Sequence, residues 1–217
     1  MSVSLKMINQ DQEEVLEQFL LRVPGWSEER FLDEAPEMWF CELEDGELIM
    51  HSPVNIRHQD IVGFLSGLLR YFNSKFDLGV VLCGPAVIRL RLGLLYEPDI
   101  FFIRKDRTNN LMEQYYSGAP DFVVEVISPS GRSHDLKTKA NQYHDHGVQE
   151  YWTVDTEKRS IHQHVLPTNL TEPYTVSFHT EGKIFSTALS GFWIDAGWLW
   201  QDLLPSEAQC LEQILGV

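Results

Sequence analysis

Long apolar runs are missing from this chain of 217 residues; nowhere do about 18 consecutive residues stay apolar, so no membrane-spanning helix is expected. Cysteine is scarce. Cys41, Cys83 and Cys210 stand far apart without a CxxC pair, which excludes a disulfide framework and a cysteine-based zinc site. Positive charge is also in short supply, with 17 Lys and Arg against 32 Asp and Glu and a formal charge of −15. That balance speaks against a nonspecific electrostatic grip on nucleic acid or membrane by the molecule as a whole. No glycine-rich phosphate loop, dinucleotide fingerprint or GxSxG nucleophile context occurs, and no apolar segment of signal-peptide type follows Lys6. A soluble, cytoplasmic protein is the expectation.

A hydrophobic share of 43% with 12% aromatics is enough for a core that needs no staple, and the absence of a linker or repeat predicts one domain over residues 1–217. Charge is unevenly spread. Between Ala86 and Ala140, eight basic residues slightly outnumber seven acidic ones, while the rest of the chain is strongly acidic. Arg89 and Arg91, or Arg104, Lys105 and Arg107, are therefore expected to border any cleft that receives a polyanion.

Apolar spacing predicts helices over Asp11 to Arg22, over Ser27 to Glu34 with Ser27 as N-cap, and over His58 to Phe76. Strands Met38 to Glu44 and Glu47 to His51 flank the hairpin signal Asp45-Gly46. Val87, Arg89 and Arg91 alternate with Ile88, Leu90 and Leu92 in a half-buried strand, and Ile100 to Ile103 forms a short buried one. Asp121 to Ile127 reads as a central strand covered on both faces. After a break at Ser128 to Gly131 comes a helix from about Asp135 to His146, closed by Gly147, and then strand Tyr151 to Val154, an order that implies a parallel crossover. Further strands are expected at Ile161 to Val165 and Tyr174 to Phe178.

Glu125 is the exception in FVVEVI. A buried carboxylate without a partner costs several kcal/mol or keeps its proton, so the face shared by Val123, Glu125 and Ile127 must receive a cation from whatever covers it. On the following helix, with Leu136, Ala140 and Tyr143 inward, Lys139 reaches that face better than Lys137. Asp99, behind Pro98, supplies a second carboxylate if its strand pairs with that of Glu125. Asp121 competes for this role but stands four residues before Glu125, about 13 Å along the strand. Two carboxylates and a lysine suit magnesium-assisted phosphodiester hydrolysis.

Pro98-Asp99 followed by Glu125 resembles the PD-(D/E)XK nuclease superfamily. More specifically, Glu42 to Glu47, Ser52-Pro53 with His58, Pro98-Asp99, Pro120-Asp121 through Ser130, Asp135 with Lys139 and Tyr143, and Gly147 to Trp152 with Asp155 are similar to the Uma-two family of restriction endonuclease-like proteins, over roughly residues 20 to 200. The resemblance implies an α/β, restriction endonuclease-like fold, a mixed central sheet flanked by helices with added β-hairpins. It implies a magnesium- or manganese-dependent endonuclease with Asp99, Glu125 and Lys139 as catalytic residues and Asp99 and Glu125 as metal ligands. Glu42, His58 and Tyr143 would support them. DNA is the implied partner, and a homodimer is compatible with it. One departure matters: Ile127 stands where the superfamily has its lysine, so the site depends on Lys139. A nonhydrolytic binding or assembly module that kept the fold is the alternative. His162 and His164, like His144 and His146, do not make a zinc site.

Overall fold

The computed structural model describes residues 20–35, 40–51, 53–127 and 134–217. In chain order these form β1 (Leu20–Pro24), α1 (Glu28–Glu34), β2 (Cys41–Glu44), β3 (Glu47–His51), α2 (Ile56–Phe76), β4 (Gly79–Cys83), β5 (Val87–Arg91), β6 (Leu94–Tyr96) and β7 (Ile100–Arg104). Then come β8 (Tyr115–Ser117), β9 (Phe122–Ile127), a π-helical turn His134–Lys139 running into α3 (Ala140–His146), β10 (Glu150–Asp155), β11 (Ser160–Val165), β12 (Thr175–His179), β13 (Lys183–Phe185), β14 (Trp193–Asp195) and α4 (Glu207–Leu215). None of the described helices is long and apolar enough to cross a membrane.

Local chemistry accounts for the element boundaries near the site. Asp45 and Gly46 both take positive φ, +49° and +90°, which closes the β2–β3 hairpin with the twist that adjacent strands require. Helix α2 starts two residues before the expected His58, because the Asn55 side chain accepts the His58 N–H at 2.8 Å and caps the first turn. Its buried stripe of Ile61, Val62, Leu65, Leu68, Leu69 and Phe72 follows the predicted spacing.

The central sheet has the order β12-β11-β10-β9-β7-β4 and is mixed: β9 and β10 run parallel across the α3 crossover, and the other neighbours are antiparallel. Strand β9 is buried along its whole length. Phe122, Val124 and Val126 join the core beneath α2 and α4, while Val123 on the opposite face joins the core shared with Tyr143, Tyr151, Phe101 and Tyr96. Glu125 belongs to that second face, buried under the π turn and α3.

The β2–β3 hairpin is part of a second six-stranded sheet, β1-β3-β2-β6-β5-β8, packed on α1 through Phe31, Leu43, Leu48 and Leu95. Two expectations are corrected. The helix predicted over Asp11 to Arg22 does not persist at its C-terminal end. Residues 20–22 belong to β1, where Leu20 pairs with His51 and Arg22 with Ile49, and ladder bonds to β3 override the local helical spacing; residues 11–19 lie outside the described residues, as do Met38, Trp39, Ser52 and the break at 128–131. Leu92, expected inward, is 72% exposed, because it sits in the Leu92-Gly93 turn that joins β5 to β6.

Candidate active site

Strand β9 lays Glu125 against the start of β7 through antiparallel pairing, Ile100 opposite Val124. The two predicted carboxylates therefore meet. Val126 N–H donates to Asp99 Oδ2 at 2.7 Å, and Asp99 N–H donates to Glu125 Oε2 at 3.3 Å, so each carboxylate accepts from the backbone of the other strand. Asp121 is excluded as the competitor: its carboxylate is taken by Arg107 at 2.8 Å and by the Arg104 N–H at 2.8 Å.

Lys139 reaches Glu125 by a route that regular helical geometry does not supply. The π turn adds a residue to the turn, swinging Asp135 and Lys139 inward and leaving Leu136, expected in the core, only half-buried. Lys139 is 3% exposed, and its Nζ lies 2.8 Å from Glu125 Oε1, 2.7 Å from Glu42 Oε1 and 3.7 Å from Asp135 Oδ1. Burial alone would lower the lysine's proton affinity, but Glu125, Glu42 and Asp135 outweigh it and hold the ammonium well above its ordinary pKa.

The two carboxylates that share this ammonium fare differently. Burial, reinforced by Asp99, Asp135 and Glu42, outweighs Lys139 and pushes the Glu125 carboxyl up to about 8. At Glu42 burial acts in the same sense, yet Lys139, His134 and His51 prevail and hold the carboxyl well below the usual range. His51 Nε2 stands 3.2 Å and His134 Nε2 3.6 Å from Glu42 Oε2. Arg22 Nη2 faces the other ring nitrogen, His134 Nδ1, at 3.4 Å.

The supporting residues named from sequence also converge. Tyr143 Oη donates to Glu125 Oε1 at 3.1 Å, and His58 Nε2 faces Asp99 Oδ1 at 3.0 Å. His58 is thus a neighbour of the candidate ligand Asp99, while the cap of α2 is Asn55. Its Nδ1 is buried without a hydrogen-bond partner among the described residues. Sequence reasoning missed His51, His134 and Glu97. His51 lies at the far end of the strand paired with that of Glu42, a register legible once the hairpin is drawn. Glu97, whose carboxyl burial and Glu42 push up to about 8, accepts the Cys41 N–H at 3.1 Å and carried no local signal.

Most of these side chains, though not Tyr143 or His134, line a recess of about 90 Å³ between α2, β2, β3, β9 and the π turn. Glu42, Glu97, Asp99, Glu125 and Asp135 border it with a single lysine, and crowding of these acids is part of what raises the Glu97 and Glu125 carboxyls. Among the described residues no group of three or more His, Cys, Asp or Glu closes a metal cage. A zinc or calcium cage therefore does not fit, whereas magnesium does: it takes one or two carboxylates and keeps its remaining places for water and phosphate. Asp99 and Glu125 are the carboxylates that would hold such an ion, and Glu125 Oε2 accepts only the long Asp99 N–H contact at 3.3 Å.

The basic residues expected at the rim are elsewhere. Arg89 pairs with Glu28 at 2.9 Å, Arg91 with Asp45 at 2.7 Å, Arg104 and Arg107 with Asp121, and Lys105 with Asp77. None of the five lines the recess. Their cationic balance is spent on the protein's own acids.

A sequence model of the Uma2 family, described as "Putative restriction endonuclease", matches residues 26–197. No curated protein matches. Among solved structures, the chain is similar to a crystal structure described as "a putative nuclease belonging to DUF820" from Anabaena variabilis ATCC 29413. The two are 14% identical with a TM-score of 0.67, over 81% of this chain and 97% of that one, and the likeness shows the fold.

Proposed function

From the premise that the chain belongs to the Uma2 family of restriction endonuclease-like proteins, we propose that it is a magnesium- or manganese-dependent endonuclease that hydrolyses phosphodiester bonds of DNA in the recess of Asp99, Glu125 and Lys139. One observation carries this reading: the Lys139 ammonium, the Glu125 carboxylate on β9 and the Asp99 carboxylate at the entry to β7 are brought together from three separate segments into one recess.

The chemistry supplied by a bound divalent ion is Lewis-acid polarisation of the phosphate and a lowered pKa for an attacking water. The chain's own residues do the rest. Two of the three Lys139 N–H donors face Glu42 and Glu125, and the third is left for Asp135, at 3.7 Å, or for a water or a phosphate oxygen as charge develops. His58 and the Val126 N–H hold the Asp99 carboxylate in one rotamer, and Tyr143 with Lys139 does the same for Glu125. Preorganised donors of this kind act on the transition state more than on bound substrate.

A second reading, a nonhydrolytic binding or assembly module, is favoured by the pairing of all five predicted rim cations with the protein's own carboxylates. Incubation of the pure protein with single- and double-stranded DNA in Mg²⁺ or Mn²⁺ separates the two. The nuclease reading expects cleavage that Glu125→Gln and Asp99→Asn each reduce by about a hundredfold or more while melting stays cooperative. Wild-type protein that cuts neither substrate across a metal screen overturns it.

A further inference from the structure

An acidic protein that acts on nucleic acid needs a source of affinity, and this recess offers little positive charge. Among its described lining residues Lys139 is the one Lys or Arg, and its ammonium is buried in ion pairs. The rim offers an aromatic ring instead. Phe40, the residue before β2, lines the recess and is 42% exposed, while the charged side chains deeper in the recess are mostly buried.

The backbone around Phe40 is anchored on both sides. Its C=O accepts the His51 N–H at 3.3 Å, and the following N–H, that of Cys41, donates to Glu97 Oε2 at 3.1 Å. The ring edge lies beside the Gly84 backbone, where an added Cβ would stand 3.7 Å from Phe40 Cε1. Gly84 N–H in turn donates to the Asp99 C=O at 3.1 Å. The ring is therefore tied, through one glycine, to the strand entry that carries Asp99, and both residues line the same recess.

An exposed aromatic face held on the wall of a polar recess is suited to stacking. Every nucleobase has a π face, and base–aromatic stacking provides affinity without positive charge and without sequence readout. A base inside an intact duplex is not free to stack on a side chain; an unpaired one is.

We propose that Phe40 stacks on the nucleobase adjoining the scissile phosphate, so that the site takes single-stranded or frayed DNA in preference to intact duplex. The inference rests on the nuclease reading of the same recess and adds the form of DNA it accepts.

Fluorescence anisotropy with a labelled oligothymidylate, and with a duplex of the same length, reads binding without metal or turnover. The expected result is tighter binding of the single strand, a loss of about tenfold in Phe40→Ala, and near wild-type affinity in Phe40→Trp. An oligonucleotide with one abasic position next to the cleavage point should bind wild type about tenfold more weakly and should cost Phe40→Ala nothing further, because the same contact is removed from either side. Thermal melts of the variants establish that they are folded. Equal affinity of wild type and Phe40→Ala, or equal penalties from the abasic site in both, overturns the stacking contact. DNA cleavage that persists in that case leaves the nuclease reading standing; wild-type protein that neither binds nor cuts DNA overturns both.

Discussion

Lys139 and Glu125, 14 residues apart in sequence, meet at 2.8 Å between Nζ and Oε1 in a site where both are almost wholly buried. Neither group is stable there alone. The ammonium is surrounded by three carboxylates and the carboxylate by Tyr143 and the Asp99 backbone, so the pair is also a constraint on how α3 docks on the central sheet.

Lys139→Met should therefore remove both activity and stability. With the cation gone, Glu42, Glu125 and Asp135 lose their common partner, and the loss expected for breaking a buried pair is about 3–5 kcal/mol. Adding Glu125→Gln to Lys139→Met should restore part of that, since one uncompensated charge is removed with it. Urea denaturation of the two variants checks this; a double variant no more stable than the single one would refute the pairing.

Glu42 also holds Lys139, at 2.7 Å, so Glu42→Gln should leave the ammonium charged but less firmly aimed. Turnover should fall by about tenfold with KM little changed, the signature of a positioning residue acting in the transition state. Steady-state kinetics on a DNA substrate gives the split. A change confined to KM would show that Glu42 touches substrate binding instead.

Calorimetric titration of the wild-type protein with Mn²⁺ should show weak binding that Asp99→Asn abolishes and Glu42→Gln retains, because the hard donors proposed for the ion are Asp99 and Glu125. Saturating Mn²⁺ should also raise the melting temperature of wild type, by mass action on the folded state, and leave that of Asp99→Asn where it was. Identical titrations of wild type and Asp99→Asn would move the metal away from this pair.

His164, buried beneath Tyr151 and Tyr174 on the face of β11, has its proton affinity lowered to about 4 by burial and by His162. A histidine depressed in the folded state favours folding fully above its unfolded pKa of about 6.5 and loses that contribution as pH falls toward about 4. Wild-type stability minus that of His164→Gln should therefore decline across this window, at a slope approaching about 1.4 kcal/mol per pH unit. The difference matters because Glu97 and Glu125, whose carboxyls are raised to about 8, act with the opposite sign as pH rises from about 4.5. Chemical denaturation at several pH values provides the measurement, and a difference that stays flat between pH 7 and 4 would rule the histidine out.

How much of this was legible in sequence varies with the range of the interaction. The Asp45-Gly46 turn, the α2 stripe, the buried β9 and the crossover to β10 follow from signals within a few residues: positive-φ turn chemistry, 3.6-residue spacing and an unbroken apolar run. Glu125 identified itself by being the one charge in that run, and its need for a cation singled out Lys139 even though the helical geometry assumed for it was regular.

Tertiary structure alone decided the rest. Leu20 to Arg22 carries helical spacing yet forms a strand, because β3 offers unpaired backbone groups that a local pattern cannot reveal. The balanced charge of residues 86–140 promised a basic rim, but charge counted along a chain does not say which acids lie across from it, and Glu28, Asp45, Asp77 and Asp121 claimed those cations. His51, His134 and Glu97 joined the site through strand register and the π turn. Composition and local periodicity determined which elements form and which carboxylate needed a partner, since both depend on neighbours in sequence, and Lys139, 14 residues on, was still within reach of that reasoning; Glu42, His51 and Glu97 came from segments far along the chain, and only packing in three dimensions could choose them.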